Sequence, residues 1–237
     1  MAYFLSNQNL EKNKAKEIFG EEASHILFSR RIKIGEIIAI QGVDGSRFEC
    51  EVKSIQRKSL NVLPKKQLVV PNESNVPVSL FQSAISESAW DFILQKATEL
   101  GADKIFLFPT QNSPKKITSD DFKKKFLRWE KILWESAKQC GRGRTPEMLF
   151  LKSLDEAVEK AKNLQTVFLC DEEGGPPPFK NHKLSAIGLF VGPEGGFTKQ
   201  EVDQIKTIKN CHSLRLSNFT LRAETAAIAG VTILVNF

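Results

Sequence analysis

From residue 78 onward, short apolar runs alternate with stretches of helical period, and this alternation constrains the fold more than any other feature of the chain. VSLFQSAIS (78–86), KIFLFPT (104–110), EMLFL (147–151), TVFLC (166–170), AIGLFVG (186–192) and HSLRL (212–216) read as buried strands, with the fourth ending at Asp171. Amphipathic segments lie between them. Ser88 and Asp91 predict a capping box for a helix whose apolar face is Trp90, Ile93, Leu94, Ala97 and Leu100, ended by Gly101. Ser119 predicts the cap of a second helix, with Phe122, Phe126, Trp129 and Leu133 on one face. Ser153 with Glu156, and Thr198 with Glu201, predict two more capped helices, and a last one begins near Arg222. Strands alternating with helices predict an α/β fold with a mostly parallel sheet covered on both faces.

Residues 1–70 have a different period. RIKIGEIIAIQG (31–42) and SRFECEVKSIQ (46–56) alternate around the turn signal Val43-Asp44-Gly45, and SLNVLP (59–64) follows. A small β-barrel or sandwich is predicted, with a short helix over Glu11 to Glu22. Pro71 and Pro77 bracket a polar stretch that reads as a linker. The expected domains are therefore 1–72 and 73–237.

Hydrophobic residues make up 41% of the chain and charged residues 26%, a globular balance. No apolar run approaches the ~20 residues a bilayer span needs, and MAYFLSNQNLEKNK lacks the basic start and apolar core of a signal peptide. A cytoplasmic protein with no membrane partner is expected. Cys50, Cys140, Cys170 and Cys211 have no paired spacing, and His25, His182 and His212 lie far apart, so no metal site is expected. Residues 115–144 carry ten Lys or Arg against four Asp or Glu, so the whole net charge of +6 resides in this one segment. Such a segment suits a polyanion such as RNA, although a charge run taken alone reads better as a solvated helix face.

Four segments carry candidate chemistry. FVGPEGGFTKQE (190–201) runs from a buried strand through three glycines and a proline into a capped helix. It sits where ligands of open α/β sheets bind, beyond the carboxyl end of a strand. Its spacing fits neither a P-loop nor a dinucleotide fingerprint, and a phosphate is disfavoured by the charge of Glu194. An ordinary tight turn is the competing reading. LRLSNFTLRAETAAIAG (214–230) places Glu224 at the favourable end of a helix dipole and Arg222 at the unfavourable end, where a ligand or partner would account for it. A routine salt bridge at a buried helix is the alternative. RWEKILWESAKQCGRGRTPE (128–147) presents Arg142 and Arg144 in a glycine-flanked loop suited to phosphate contacts. HILFSRRIKIG (25–35) presents Arg30, Arg31 and Lys33, either for RNA or as a charged strand edge.

Together these segments resemble the RsmE family of 16S ribosomal RNA uracil-N3 methyltransferases, within the SPOUT superfamily. The matching pieces are His25 with Arg31 and Gly35, LQKATELG (94–101), RW with Ile132, QCGR (139–142) with Pro146, VGPEGGFT (191–198) and LRAETA (221–226). They span nearly the whole chain in order. The resemblance implies a PUA-like β-barrel that binds RNA, followed by a SPOUT domain with a C-terminal trefoil knot. It implies S-adenosylmethionine held by three loops, here Leu169–Glu172, Gly192–Gly196 and Leu216–Arg222. The implied contacts are Leu169, Gly192, Pro193, Glu194, Gly195, Gly196, Leu216, Ser217 and Leu221. It further implies a homodimer acting on 16S rRNA of the small ribosomal subunit. Arg222 and Glu224 are then the expected catalytic pair, and Arg30, Arg31, Lys33, Arg142 and Arg144 the expected RNA contacts.

The chain departs from the family pattern at several positions. Tyr3-Phe4 stands where an Arg-Phe-type opening is usual, Ala89 where a Lys is common, Asn112 where an Arg is common, and Ser217 and Phe219 where Gly and Arg are usual. These changes remove positive charge and bear on the RNA target. The alternatives are a SPOUT methyltransferase with a different RNA target and a non-catalytic RNA-binding paralogue.

Overall fold

The computed structural model describes residues 3–70, 73, 76–114, 117–175 and 185–236, and divides the chain into two compact units. Pro71 of the expected linker and His182 lie outside the described residues. The first unit comprises the chain up to Glu73 together with Ala137–Arg144. Its elements are β1 (Phe4–Leu5), β2 (Lys16–Phe19), α1 (Glu21–Arg30), β3 (Ile37–Gln41), β4 (Arg47–Ile55) and β5 (Ser59–Leu68). They form a five-stranded sheet of order β1-β3-β4-β5-β2. The reversal between β3 and β4 is closed by Gly42 N–H donating to Ser46 O at 2.8 Å, with Gly45 at φ 81°. Ile38, Ile40, Phe48, Cys50, Val52, Leu60 and Val62 alternate onto one face and bury against Ile18 and Ile26.

The helix expected over Glu11 to Glu22 does not form. Its Glu, Lys and Ala favour a helix, but Lys16–Phe19 pair antiparallel with Ser59–Val62 instead, burying Ile18. The helix starts one element later, after Gly20 turns the chain at φ 84°. Residues 25–30 accordingly lie on α1, not on a strand edge, and Arg31 closes the helix in the left-handed region at φ 46°.

Arg47 is buried in this unit and its guanidinium lies 3.7 Å from the centre of the Tyr3 ring. Its Nη2 donates to Gln41 Oε1 at 2.8 Å, Gly141 O at 3.1 Å and Arg142 O at 3.2 Å, while the Tyr3 hydroxyl donates to Arg142 O at 2.6 Å. Burial pushes the Tyr3 phenol above and the Arg47 guanidinium below its usual pKa, and their mutual attraction opposes both shifts.

The second unit holds β6 (Val78–Ser83), α2 (Glu87–Leu100), β7 (Lys104–Phe108), most of α3 (Ser119–Cys140), β8 (Glu147–Phe150), α4 (Leu154–Ala161), β9 (Thr166–Gly175), β10 (Ile187–Val191), α5 (Lys199–Lys206), β11 (Cys211–Leu214) and α6 (Ala223–Val235). Six strands form one sheet of order β11-β9-β10-β6-β7-β8, and every neighbouring pair is parallel. Alternate side chains feed two cores. Leu80, Ile105 and Leu189 pack with residues of α2, α3 and α6. Phe81, Phe106 and Phe190 pack with residues of α4 and α5. Phe81 stacks between Phe106 and Phe190, with ring centres 4.6 Å apart on each side. Each such pair contributes about 0.5–1.5 kcal/mol beyond its burial.

The helix boundaries follow their caps. α4 starts at Ser153, whose hydroxyl accepts from Glu156 N–H, and α5 starts at a complete capping box of Thr198 and Glu201. Two caps shift from the expected positions. α2 is preceded by Ser86 rather than Ser88, and α3 by Thr118 rather than Ser119. Thr118 Oγ1 accepts from Asp121 N–H at 3.2 Å while the Asp121 carboxylate accepts from Thr118 N–H at 3.1 Å. α2 buries Trp90, Ile93, Leu94, Ala97 and Thr98, and Gly101 closes it at φ 100°. Among the described residues no helix is long and apolar enough to cross a membrane, and no cluster of His, Cys, Asp or Glu could hold a metal ion.

Candidate functional site

At the carboxyl edge of the parallel sheet, Val191 leads into the turn Gly192-Pro193-Glu194-Gly195-Gly196. Gly196 N–H donates to Pro193 O at 2.9 Å, and Gly196 takes φ 68°, a region open to glycine at little cost. A Cβ on Gly192 would lie 3.2 Å from Phe197 N. A side chain at Gly192 would therefore press on the backbone of Phe197, and one at Gly196 would be strained by its positive φ.

Two neighbouring connections hold this turn. Gln82, at the end of β6, donates from Nε2 to Gly192 O at 3.1 Å, Val191 O at 3.4 Å and Ser83 O at 3.0 Å. Ser86 N–H donates to Glu194 Oε1 at 2.9 Å. From the connection after β7, Asn112 Nδ2 donates to Gly195 O at 3.2 Å and Gly196 O at 3.1 Å. Gln111 N–H donates to Glu201 Oε1 at 2.8 Å, while Glu201 Oε2 accepts from Thr198 N–H at 2.8 Å. Within the turn Pro193 is buried, while Glu194, Gly195 and Gly196 are exposed.

The expected first loop is not a loop. β9 continues past Asp171 to Gly175, and β11 stays beside it, with Leu214 opposite Gly175 after a register shift. The Leu169 side chain is fully buried in the core shared with α4 and α5. Beyond it, Asp171 is a junction. Its carboxylate accepts from Glu173 N–H at 3.1 Å, Ser213 Oγ at 2.9 Å and Lys206 Nζ at 3.1 Å, joining β9, β11 and α5. Burial alone would raise the Asp171 pKa, but these donors outweigh it and hold the carboxyl below its ordinary value. A depressed carboxyl stabilises the fold above the ordinary aspartate range and loses that contribution as pH falls through the depressed value. Asp171→Asn is expected to cost about 1–2 kcal/mol at neutral pH. The gap from wild type should close in acid, as melting curves recorded against pH would show.

The third segment begins after β11. Arg215 Nε donates to Ser217 O at 3.0 Å and Phe219 N–H donates to Ser217 Oγ at 3.0 Å, so the segment folds on itself around Ser217. Leu216, Ser217 and Leu221 are half-buried, and Phe219 is 82% exposed. Arg222 occupies the N-cap position of α6 and is exposed, while Glu224 is half-buried in the first turn. The structure brings both to one helix end without an ion pair between them. In the sheet β9 stands between β10 and β11, so the glycine turn and the Leu216–Arg222 segment flank that strand.

The expected basic contacts divide. Arg31, Lys33 and Arg144 are exposed. The Arg30 side chain lies outside the described residues. Arg142 is only 8% exposed, and its guanidinium is paired with Glu73 within the first unit. Arg142 is thus a largely buried ion pair of the first unit.

Sequence reasoning does not place Gln82 or Ser86 at the site, and it marks Asn112 only as a departure. For Gln82 the sequence carries a signal: it is a long polar side chain in a run, VSLFQS, that is otherwise fit for complete burial. Ser86 acts through its backbone, which no side-chain pattern announces.

Comparison with known proteins places these features in a family. The RNA methyltransferase domain family matches residues 72–235. Ribosomal RNA small subunit methyltransferase E of Helicobacter pylori is 30% identical, covering 92% of this chain and 93% of the relative. The Bacillus subtilis protein of the same name is 27% identical, covering 94% and 91%. The crystal structure of ribosomal RNA small subunit methyltransferase E from Neisseria gonorrhoeae bound to S-adenosyl methionine superposes with a TM-score of 0.86 at 25% identity, covering 100% of this chain and 97% of that one.

Proposed function

We propose, from the premise that this chain belongs to the ribosomal RNA small subunit methyltransferase E family, that it methylates N3 of a uridine in 16S ribosomal RNA with S-adenosylmethionine as methyl donor. The observation that carries the reading is the glycine turn at the carboxyl edge of the parallel sheet, held by Gln82, Ser86 and Asn112. The Neisseria gonorrhoeae relative is described as bound to S-adenosyl methionine, and its fold matches this chain throughout. Backbone N–H groups of Gly192, Glu194 and Gly195 and backbone oxygens of the Gly192–Gly196 turn, Pro193 contributing only its carbonyl, with Leu216, Ser217 and Leu221, suit a ligand that presents amines, hydroxyls and an adenine edge.

When bound, S-adenosylmethionine supplies a methyl group on a sulfonium, open to in-line displacement. The chain must then hold a uracil with N3 in line and about 3 Å away. N3 carries a proton that must leave, and a cation beside the ring favours the anion that results. Arg222, exposed at the start of α6, is assigned that role, and Glu224, two residues on, is assigned to orient it. The target base leaves its stack to enter the site.

Several finer features follow the same reading. The sheet order, with β11 beyond β9 and α6 returning against β10 and β6, supports a SPOUT domain whose C-terminal segment forms a trefoil knot. The five-stranded first unit supports a PUA-like RNA-binding barrel. α6 is apolar on nearly all sides and leaves Ile228, Ala229 and Ile233 only half-buried, which supports a homodimer through this helix. A cytoplasmic location fits an rRNA substrate.

The deciding experiment incubates purified small ribosomal subunits with labelled S-adenosylmethionine and maps the product. Label at N3 of one 16S rRNA uridine is expected. Label elsewhere would favour a different RNA target, the alternative suggested by Asn112 and Phe219. No label would leave only an RNA-binding role. Arg31→Ala, Lys33→Ala and Arg144→Ala are each expected to weaken RNA binding and to reduce the slope of log affinity against log salt by about one. Arg142→Ala should instead lower the melting temperature, because it takes from Glu73 its closest partner.

A further inference from the structure

β6 is buried along its whole length, a setting that calls for apolar residues. Gln82 is fully buried there, and its side-chain oxygen has no hydrogen-bond partner among the described residues. The orientation of the amide is forced. Val191 O, Gly192 O and Ser83 O all face its nitrogen, and a carbonyl can only accept, so the NH2 end must point to them. The orphaned Oε1 is what remains on the other side. A buried amide oxygen without a donor destabilises a fold, and a Met or Leu at this position would fill similar space without that cost. Packing alone therefore gives no reason for a glutamine. Two of the three groups it grips are the carbonyls that open the glycine turn.

We infer that Gln82 is a positioning residue for the methyl donor: its amide fixes the Val191 and Gly192 carbonyls and so sets the direction of the turn's backbone toward S-adenosylmethionine. The inference rests on the proposed cofactor reading of that turn. It assigns Gln82 no contact with substrate. Its cost to the fold and its benefit to binding are predicted to separate on substitution.

Three proteins test this by calorimetry with S-adenosylmethionine, thermal melting without it, and steady-state kinetics on small subunits. Gln82→Met removes both the donors and the orphaned acceptor. It is expected to melt within a few degrees of wild type or above it, while the dissociation constant for S-adenosylmethionine rises at least tenfold. KM for S-adenosylmethionine should rise by a similar factor, with kcat changing less than threefold. Gln82→Glu keeps the shape but sets a carboxylate against three carbonyls. Its affinity should be weakest at high pH and recover as the pH falls, because the protonated acid regains one donor; wild type should show no such recovery. An unchanged dissociation constant in Gln82→Met would overturn the inference while leaving the function intact. A loss of affinity matched by a comparable loss of melting temperature would overturn it in favour of a purely structural role. Failure of wild type to bind S-adenosylmethionine would sink the cofactor reading itself, and the inference with it.

Discussion

Gly174→Ala is expected to lower the stability of the chain by about 3 kcal/mol and to abolish tight binding of the methyl donor, whereas Gly175→Ala should be nearly silent. A Cβ on Gly174 would lie 2.8 Å from Leu214 N, 2.8 Å from Ser213 C and 2.9 Å from Arg215 N. All three are backbone atoms, so no side chain can rotate away and the two strands must separate. Overpacking of this kind costs roughly 1–3 kcal/mol where side chains can yield, and more where they cannot. Asp171 lies three residues before Gly174 on β9, and the Leu216–Arg222 segment follows β11, so separation displaces both. At Gly175, by contrast, an added methyl would meet nothing among the described residues within 4 Å. Melting curves for the two variants side by side decide the matter; equal melting temperatures would mean that the strands do not approach as described.

Arg222→Ala is expected to reduce kcat by about 10²- to 10³-fold, the usual loss when one preorganised stabiliser of a developing anion is removed. The dissociation constant for S-adenosylmethionine should stay within a few-fold of wild type, since Arg222 is assigned to the base and not to the donor. Arg222→Lys should recover part of the rate, because it restores the charge without the planar fork. Single-turnover rates with saturating donor measure this directly. Full turnover in Arg222→Ala would remove Arg222 from the chemistry.

Much of the second unit is legible in the sequence, for physical reasons that can be named. The apolar runs of the parallel strands are buried on both faces, so they need no alternation to be found. Ser153, Thr198 and Gly101 mark helix ends through hydrogen bonds or a positive φ that few residues provide. The first unit is less legible. Lys16–Phe19 carries good helix formers yet becomes a strand, because its partner β5 lies some forty residues away in sequence and no local pattern reports it. The glycine turn is readable, but its supports are not. Gln82, Ser86 and Asn112 come from connections more than 80 residues distant, and only the folded sheet brings them to Gly192–Gly196. Arg142 reads as a surface contact because it lies between glycines in a basic stretch; its pairing with Glu73 spans 69 positions.

The first unit draws part of its substance from Ala137–Arg144, far along the chain from its other residues. Gly141 and Arg142 supply the carbonyls for Arg47, and Gly143 O accepts from Gln41 Nε2 at 2.8 Å. A fragment stopping at Glu73 would leave a buried guanidinium without those acceptors. This portion of the molecule is accordingly not a portable module: it cannot be excised, grafted or exchanged between relatives as one continuous stretch, and any chimera must carry both pieces from the same parent.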